Sequence, residues 1–521
     1  MENLGLIDHL MYMADQHNVA SLIMSGAMVL GAADDDEPLN PDAIAEHLAA
    51  RLQKIPMLRK QFVQDPLHLG SVKKADDPDY DVWDHVDVVH LPSPGNYDQL
   101  RSAIADYANQ PFGLQEVFEF LVIGGLEGGR VALASKIHHA FVDGMGAAEI
   151  MKSVFDEQPV PLEKVRGRRR HRSASVPTAF KLTRNAMGEN LDRMFRKVPK
   201  VIYKSAPSIV SYLSKAFDKK SPDEDAKQQD ARPEFQPTSL NHMPNEASFR
   251  TLSYSVLQLK ELKFISKQFG CTVNDLALVL FTCALERYFE STGEEINFDL
   301  LAAMPISLRG SSQVSGGNQL TGAIISLHNT EKNLVARLRK INNETSKAKS
   351  EMRPESSDSA LDLQEIADLI APPILDLVLY VAGKTRLIEK FESKLGFMNT
   401  FFTNVPGYPV TSYLGNARLE YGIPMIPAVP LLALSPGVTS SGDTFIFGFN
   451  CDGSVIDDSE VFIEGLQRGL SQLRKSASGK AEPRGNKSIR PATTRATNGA
   501  KRGTVRKTPN RKKATTRRLT K

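Results

Sequence analysis

The sequence predicts a mixed α/β protein with two globular parts and a basic C-terminal tail. Strand-like and helix-like patterns alternate in both halves, which is typical of sheets covered by helices. The length of 521 residues exceeds what one typical core accommodates, so two subdomains are expected. Lys480 to Lys521 contains fifteen Lys or Arg residues and one acid, a net charge of +14. Because the whole chain carries +3, the other residues together carry −11.

The first subdomain is predicted to cover residues 1–156. Amphipathic periodicity predicts two helices before its strands, and two short apolar runs then read as neighbouring strands leading into a third helix. These five elements are expected at Pro41–Leu52, Tyr97–Asn109, Glu119–Ile123, Arg130–Ile137 and Met145–Phe155.

Residues 157–237 are predicted to connect the two subdomains. This connector opens with the basic cluster Arg166–Arg172 and contains an amphipathic stretch with interleaved Lys and Arg at 180–217. Two interpretations stay open for that stretch: a surface crossover packed on the globular parts, or a basic amphipathic helix in a membrane interface.

The second subdomain is predicted to cover residues 238–475 and to repeat the mixture of helices and strands. Residues 476–521 have no aromatic residue and too few apolar ones to fold alone, so they are predicted to be a disordered tail. The expected elements are helices at Val256–Gln268, Asn274–Tyr288, Glu331–Ser350, Leu361–Phe391 and Ser459–Leu473, and strands at Phe298–Met304, Leu320–Leu327, Phe397–Asn404, Ala417–Ile423 and Thr444–Asn450.

The most informative segment is His138-His139-x-x-x-Asp143-Gly144, which follows the apolar run Val131–Ala134. An imidazole titrates near neutrality and can take a proton from an attacking hydroxyl or amine. A carboxylate four residues later can fix a ring or the local backbone, and Gly144 permits a tight turn into a helix. The alternative is a pair of core histidines beside an Asp that caps a helix. Two adjacent histidines between a strand and a glycine turn favour catalysis of acyl transfer.

This segment resembles the HHxxxDG signature of the CoA-dependent acyltransferase superfamily. That superfamily includes chloramphenicol acetyltransferase, nonribosomal peptide condensation domains and the bacterial wax ester synthase/diacylglycerol acyltransferases. The order of the other motifs is similar to the last of these families, although Glu116-Val117-Phe118 stands where that family often carries Pro-Leu-Trp. The similar segments are Asp77–Asp81, Leu91–Gly95, Leu126–Arg130, Thr272–Asp275, Met304–Arg309, Gly317–Gln319 and Asn404–Gly407.

The resemblance implies two chloramphenicol-acetyltransferase-like subdomains with a substrate channel between them. It implies that His139 is the general base, that His138 supports the turn, and that Asp143 orients the loop by pairing with an arginine, for which Arg59 is nominated. A surface position at a helix end is the alternative for Arg59.

Oxyanion donors are also expected from the resemblance. Asn274 and the N–H groups at the start of its helix are candidates, with a similar set after Gly144. Asn274 and Asp275 are both expected to support the site, and a plain helix cap is the alternative for one of them.

The expected reaction transfers a long-chain acyl group from acyl-CoA, a substrate, to diacylglycerol or a fatty alcohol. Two other functions stay open: a condensation-type acyltransferase acting on a polar amine or hydroxyl, and an inactive lipid-binding relative. No metal is expected, because Cys271, Cys283 and Cys451 lack metal-ligand spacing. No cofactor is expected, and no P-loop for nucleotide phosphates occurs. Gly-x-Ser-x-Gly is also absent, so a serine nucleophile is not expected.

The expected location is cytoplasmic, on a peripheral anionic membrane or lipid-droplet surface. No stretch reaches the length of about 18–20 apolar residues needed to cross a bilayer, and no signal peptide is expected. The basic tail is expected to bind the anionic lipid surface. Its lack of aromatic residues argues against specific recognition of nucleic acid.

Overall fold

The computed structural model places both motif-bearing halves of the chain in the unit Met1–Lys480. Most of the predicted connector and tail, and Asp143 itself, lie outside the described residues, although the last helix continues to Ala481. The described residues are 1–19, 21–33, 37–113, 116–142, 144–165, 177–192, 235–242, 249–305, 322–351, 372–385, 398–405, 407, 411–427 and 431–481.

Helices and strands alternate along the described ranges. The helices are α1 (Leu6–Gln16), α2 (Pro41–Leu52), α3 (Tyr97–Asn109), α4 (Gly144–Val154), α5 (Ala179–Asp192), α6 (Leu259–Phe269), α7 (Val273–Thr292), α8 (Leu334–Glu351), α9 (Pro372–Thr385) and α10 (Glu460–Ala481). The strands are β1 (Glu2–Asn3), β2 (Ile23–Ala32), β3 (Lys60–Val63), β4 (Lys73–Asp76), β5 (Val86–His90), β6 (Phe118–Gly124), β7 (Val131–His138), β8 (Arg250–Gln258), β9 (Leu301–Pro305), β10 (Gly322–Ser326), β11 (Thr400–Phe401), β12 (Thr403–Val405), β13 (Tyr413–Leu414), β14 (Ala417–Met425), β15 (Leu434–Ser441) and β16 (Thr444–Asp452).

The histidine-bearing strand β7 lies inside a six-stranded sheet of order β13-β14-β2-β7-β6-β5. It pairs antiparallel with β2 on one side and with β6 on the other. Val131 and Leu133 belong to the same apolar core as α2, whereas Ala132 and Ala134 belong to a core shared with α3 and β8. Alternate residues of a strand face opposite sides of a sheet, so two cores explain the uninterrupted apolar run.

The second half of the chain forms a four-stranded sheet of order β12-β15-β16-β8, next to a smaller sheet of order β10-β9-β11. Helix α7 is buried along Asp275–Leu285 and supplies much of this half's core. Within the described ranges no single helix is long and apolar enough to cross a membrane. The pair α6 and α7 reaches that length and composition together, with a 100° bend at the break between them.

Strand β8 is an edge strand, and side chains of α3 complete its hydrogen bonding. The Tyr97 hydroxyl accepts from the Tyr254 N–H at 3.1 Å and lies 3.0 Å from the Tyr254 carbonyl oxygen. The Asn109 side chain accepts from the Arg250 N–H at 2.7 Å and donates to the Arg250 carbonyl at 2.9 Å. These side chains take the place of a neighbouring strand and join the two halves.

Strand β14 joins the halves in a different way. It comes late in the chain but pairs antiparallel with β2 in the sheet of the first half. On its way it passes so close to β16 that a Cβ atom on Gly448 would lie 2.2 Å from the Pro424 carbonyl oxygen. Glycine is therefore required at this crossing.

The predicted helix at Val256–Gln268 is wrong at its start. Val256 to Gln258 form the end of β8, and the helix begins at Leu259. Pairing of β8 with β16 along its whole length decides this boundary. Strand β2, which contains two glycines, was not predicted. The predicted helix at Leu361–Phe391 is described only for Pro372–Thr385, where it is helical.

Candidate active site

The two histidines lie where β7 ends, and main-chain bonds hold them from both sides. The His138 N–H donates to the Val117 carbonyl at 3.1 Å, and the His139 N–H donates to the Leu22 carbonyl at 2.9 Å. We call His138–Val142 the histidine turn. Its start is fixed by the segments that precede β6 and β2.

His138 is fully buried. Its Nδ1 accepts from the Ala140 N–H at 3.1 Å, so the proton of the neutral ring sits on Nε2. Nε2 lies 3.6 Å from Asp15 Oδ2. The ring packs edge-on against Phe62 with centroids 5.3 Å apart. His138 therefore supports the turn from inside the core.

His139 is partly exposed, in contrast to its neighbour. It is the first residue after β7 and stands in the turn. An imidazole that is partly accessible and held by its own main chain can meet a substrate with little reorganisation. The predicted division of roles between the two histidines stays a prediction.

The next residues of the turn are also held from outside the motif. The Lys74 ammonium donates to the Phe141 carbonyl at 2.7 Å and lies 5.0 Å from the centre of the Phe141 ring. Helix α4 begins at Gly144, one residue before the expected start at Met145. Arg59 ends a short 3₁₀ turn and donates to the Gln53 carbonyl at 2.5 Å. Because Asp143 lies outside the described residues, its pairing with Arg59 stays a prediction.

Sequence reasoning missed two charged residues behind the turn. Asp15 Oδ1 accepts from the Leu22 N–H at 3.3 Å, and Arg250 Nη2 donates to the Ser21 hydroxyl at 3.2 Å. Burial lowers the pKa of Arg250 and the charge of Asp15 raises it, so the two charges support each other. No local pattern could have found them, because Arg250 reaches this place only through the packing of β8 against the first half.

In the second half, three separate motif segments meet. The Asn274 amide nitrogen lies 3.6 Å from the Met304 sulfur, and Asn404 Nδ2 donates to Asn274 Oδ1 at 3.3 Å. We call Asn274, Met304 and Asn404 the asparagine cluster. The segments Ile306–Arg309 and Gly317–Gln319 lie outside the described residues.

Neither Asn274 nor Asp275 is the helix cap. Thr272 caps α7, and Asp275 completes the capping box by accepting from the Thr272 N–H at 2.9 Å. Asp275 is fully buried and also accepts from Asn342 at 2.8 Å and Thr345 at 2.7 Å. Burial alone would raise the pKa of Asp275, but these hydrogen bonds together lower it. Asp275 is an ionised anchor, whereas Asn274 remains partly exposed.

Four other motif segments are brought together in two places. Leu91–Gly95 packs on the turn before Leu126–Arg130, where a Cβ atom on Gly95 would lie 1.9 Å from the Gly125 carbonyl oxygen. That contact stands at the opposite end of β7 from the histidines and supports the fold.

Residues of Asp77–Asp81 and of Glu116–Phe118 line one cavity of about 450 Å³. This cavity lies beside the histidine turn, because Val117 accepts from His138.

The described residues contain no group of three or more His, Cys, Asp or Glu side chains arranged to hold a metal ion. The three cysteines are free thiols. Burial raises the pKa of Cys271 to about 11 and that of Cys283 to about 12, and it also raises the pKa of Cys451. Such thiols stay protonated near neutral pH and pack as small apolar groups.

Comparison with known proteins identifies the family. Residues 4–277 match the wax ester synthase/diacylglycerol acyltransferase catalytic domain, and residues 316–474 match the C-terminal domain of the same proteins. The chain belongs to the wax ester synthase/diacylglycerol acyltransferase family. The prediction that it is an acyl-CoA-dependent O-acyltransferase is thereby confirmed.

Individual relatives agree with the family models. A probable diacylglycerol O-acyltransferase of Mycobacterium tuberculosis is 25% identical over 463 residues, which are 88% of this chain and 92% of the relative. A putative diacylglycerol O-acyltransferase of the same species is 23% identical and covers 93% of this chain and 99% of its own length.

Solved structures show the fold. The wax ester synthase/diacylglycerol acyltransferase from Marinobacter aquaeolei VT8 superimposes with a TM-score of 0.63 at 21% identity, covering 92% of this chain and 100% of its own. The first condensation domain of the calcium-dependent antibiotic synthetase gives a TM-score of 0.50 at 14% identity, covering 92% and 97%. The predicted mixed α/β fold is confirmed.

Proposed function

We propose that this enzyme transfers a long-chain acyl group from acyl-CoA to diacylglycerol, to a fatty alcohol, or to both. The observation that carries the proposal is the different placement of the adjacent histidines: His138 is buried in the core and His139 is partly exposed at the end of a central strand. One ring is accessible at the end of the strand while its neighbour supports the main chain. The names of the curated relatives favour diacylglycerol as the acceptor.

His139 acts as the general base in this proposal. It takes the proton of the acceptor hydroxyl while that oxygen attacks the thioester carbonyl carbon of acyl-CoA. The carbonyl electrons return as the carbon–sulfur bond breaks, and the protonated imidazole delivers its proton to the leaving CoA sulfur. One base serves both steps, so no covalent acyl-enzyme is needed.

The negative charge on the tetrahedral intermediate requires hydrogen-bond donors. The Asn274 amide is a suitable donor because its present partner, the Met304 sulfur at 3.6 Å, is a weak acceptor that an oxyanion can replace. The start of α7 beside it adds main-chain N–H groups and a favourable helix dipole. Gly144 and the start of α4 offer a similar set.

The test measures CoA release by the purified protein from palmitoyl-CoA with diacylglycerol, hexadecanol or a polar amine, with lipid products separated by class. Triacylglycerol or wax ester formation supports the proposal. Product formation with the amine alone would favour a condensation-type enzyme. No product with any acceptor, with palmitoyl-CoA still bound, would favour an inactive lipid-binding relative.

We further propose that the basic tail holds the enzyme at an anionic membrane or lipid-droplet surface on the cytoplasmic side. Each Lys or Arg near an anionic surface contributes about 1 kcal/mol before chain entropy is subtracted, and the tail carries a net +14. Full-length protein should therefore sediment with anionic vesicles at low salt and much less at high salt. Binding to these vesicles that is insensitive to salt would contradict an anchor made of tail charge.

A further inference from the structure

Helix α9 turns its apolar side away from the protein. Leu377 is 61% exposed and Val378 57%, and Ile374 and Val381 on the same face are also exposed. On its inner side, Leu375 is buried and Asp376 is partly buried. A surface helix ordinarily places its apolar stripe on the core, so this arrangement indicates a face that is covered by something else.

The outward face is held in place by polar contacts on the inner side of α9. The Asp376 carboxylate bonds His17 Nε2 at 2.6 Å and lies 3.4 Å from His68 Nδ1. At the far end of α9, a Cβ atom on Gly383 would lie 2.2 Å from the His17 carbonyl oxygen. These contacts turn the helix's one acid inward and leave its outer surface without negative charge.

Helix α5 repeats the pattern. Phe180 is 77% exposed, and Met187 and Leu191 lie exposed along the same helix, while Leu182 and Ala186 are buried. Both helices sit on the loop that follows Asp65. The Asn190 amide of α5 donates to the Leu69 carbonyl of this loop at 2.7 Å, next to the His68 that contacts α9. Leu67, 65% exposed, belongs to the same loop. We call the outward faces of α5 and α9 with Leu67 the apolar platform.

We propose that the apolar platform docks on the phospholipid-coated surface of a neutral-lipid droplet and brings the acceptor lipid to the site. Tyr380 and Lys384 flank the apolar face of α9, and Lys181 and Arg184 are exposed on α5. Apolar side chains with neighbouring Tyr, Lys and Arg suit the boundary between acyl chains and headgroups.

The position of the platform connects it to the chemistry. His17, on which α9 is seated, stands two residues after Asp15, which faces His138 in the histidine turn. A lipid surface on the platform therefore lies next to the segment that holds the site. This inference rests on the proposed lipid acceptor, and binding can be tested without any turnover.

The experiment measures flotation of full-length protein with triolein droplets coated by phosphatidylcholine, at high salt so that tail charge is screened. The double variant Leu377→Glu/Val378→Glu and, independently, Met187→Glu should partition at least about tenfold more weakly than wild type. One buried Leu side chain alone corresponds to that factor. Their thermal unfolding should match wild type, because the replaced side chains are exposed.

Phe264→Glu is the matched control, since Phe264 is an exposed apolar residue on α6, outside the platform. It should float like wild type. Flotation of the α5 and α9 variants that equals wild type would overturn the proposal. If light scattering then shows that these variants convert a wild-type dimer to monomer, the apolar platform is a dimer interface instead. CoA release by wild type with a water-soluble short-chain diacylglycerol is measured separately; its absence counts against the proposed reaction and leaves the flotation result standing.

Discussion

The histidine turn and the start of α7 each contain two adjacent polar residues, and each pair divides in the same way. His138 and Asp275 are fully buried, whereas His139 and Asn274 are partly exposed. The means of support differ. The turn is held mainly by main-chain bonds from neighbouring strands, and α7 is anchored by side chains that converge on one carboxylate. In both halves one residue secures the backbone and its direct neighbour is partly exposed.

The largest expected effect separates the two histidines. His139→Ala should lower kcat by about 10²–10⁴-fold with little change in the free energy of unfolding, because only the base is lost. His138→Ala should lower the free energy of unfolding by about 1–3 kcal/mol, since it leaves a cavity and the Ala140 N–H without its acceptor. Steady-state CoA release and urea unfolding measure the two quantities. Near-normal turnover by folded His139→Ala would contradict the proposed base.

The anchor of the second half should show its effect in stability. Asp275→Asn keeps the shape but loses the charge that accepts from Thr345, Asn342 and Thr272, so the free energy of unfolding should fall by about 1–3 kcal/mol at neutral pH. Since hydrogen bonding lowers the pKa of Asp275 in the folded state, this contribution is complete above its usual value of 3.8 and is lost as pH falls through the folded value.

The pH dependence supplies the control for this anchor. The difference between wild type and Asp275→Asn in urea unfolding should stay constant from neutral pH down to about pH 5 and shrink as the pH falls below about 4. Asp443→Asn, which breaks only an exposed ion pair with Lys260, should cost less than about 1 kcal/mol at neutral pH. A difference that persists unchanged at low pH would mean that the charge of Asp275 is not what stabilises α7.

The smallest effect is expected inside the asparagine cluster. Asn404→Ala removes one exposed hydrogen bond of 3.3 Å, so unfolding should change by less than about 1 kcal/mol. The variant should therefore remain almost entirely folded. If Asn404 orients the Asn274 amide, kcat should nevertheless fall, while KM for acyl-CoA stays similar. Equal kcat for wild type and variant would show that Asn404 does not act on the reaction through Asn274.

Sequence patterns located the elements whose signals are local. Helices α2 and α3 begin and end where predicted, because Asn40 and Asn96 cap them by hydrogen bonds to nearby N–H groups. The strand that delivers the histidines was also found from its apolar run. Contacts between distant segments were not predictable in this way. Val256–Gln258 are in a strand because they pair with β16. Asp15 and Arg250 lie beside the histidine turn only because of tertiary packing.

The pairing of β14 with β2 also governs the order in which this protein can mature. On the ribosome, β2 and β7 emerge early, but β2 lacks its second neighbour until the chain has been made as far as Met425. Until then the strand beside the histidines is an unpaired edge, the kind of surface that joins strands of other chains. A nascent or truncated chain that ends before Ala417 should therefore depend on chaperones. The complete six-stranded sheet that contains β7 forms only near the end of translation.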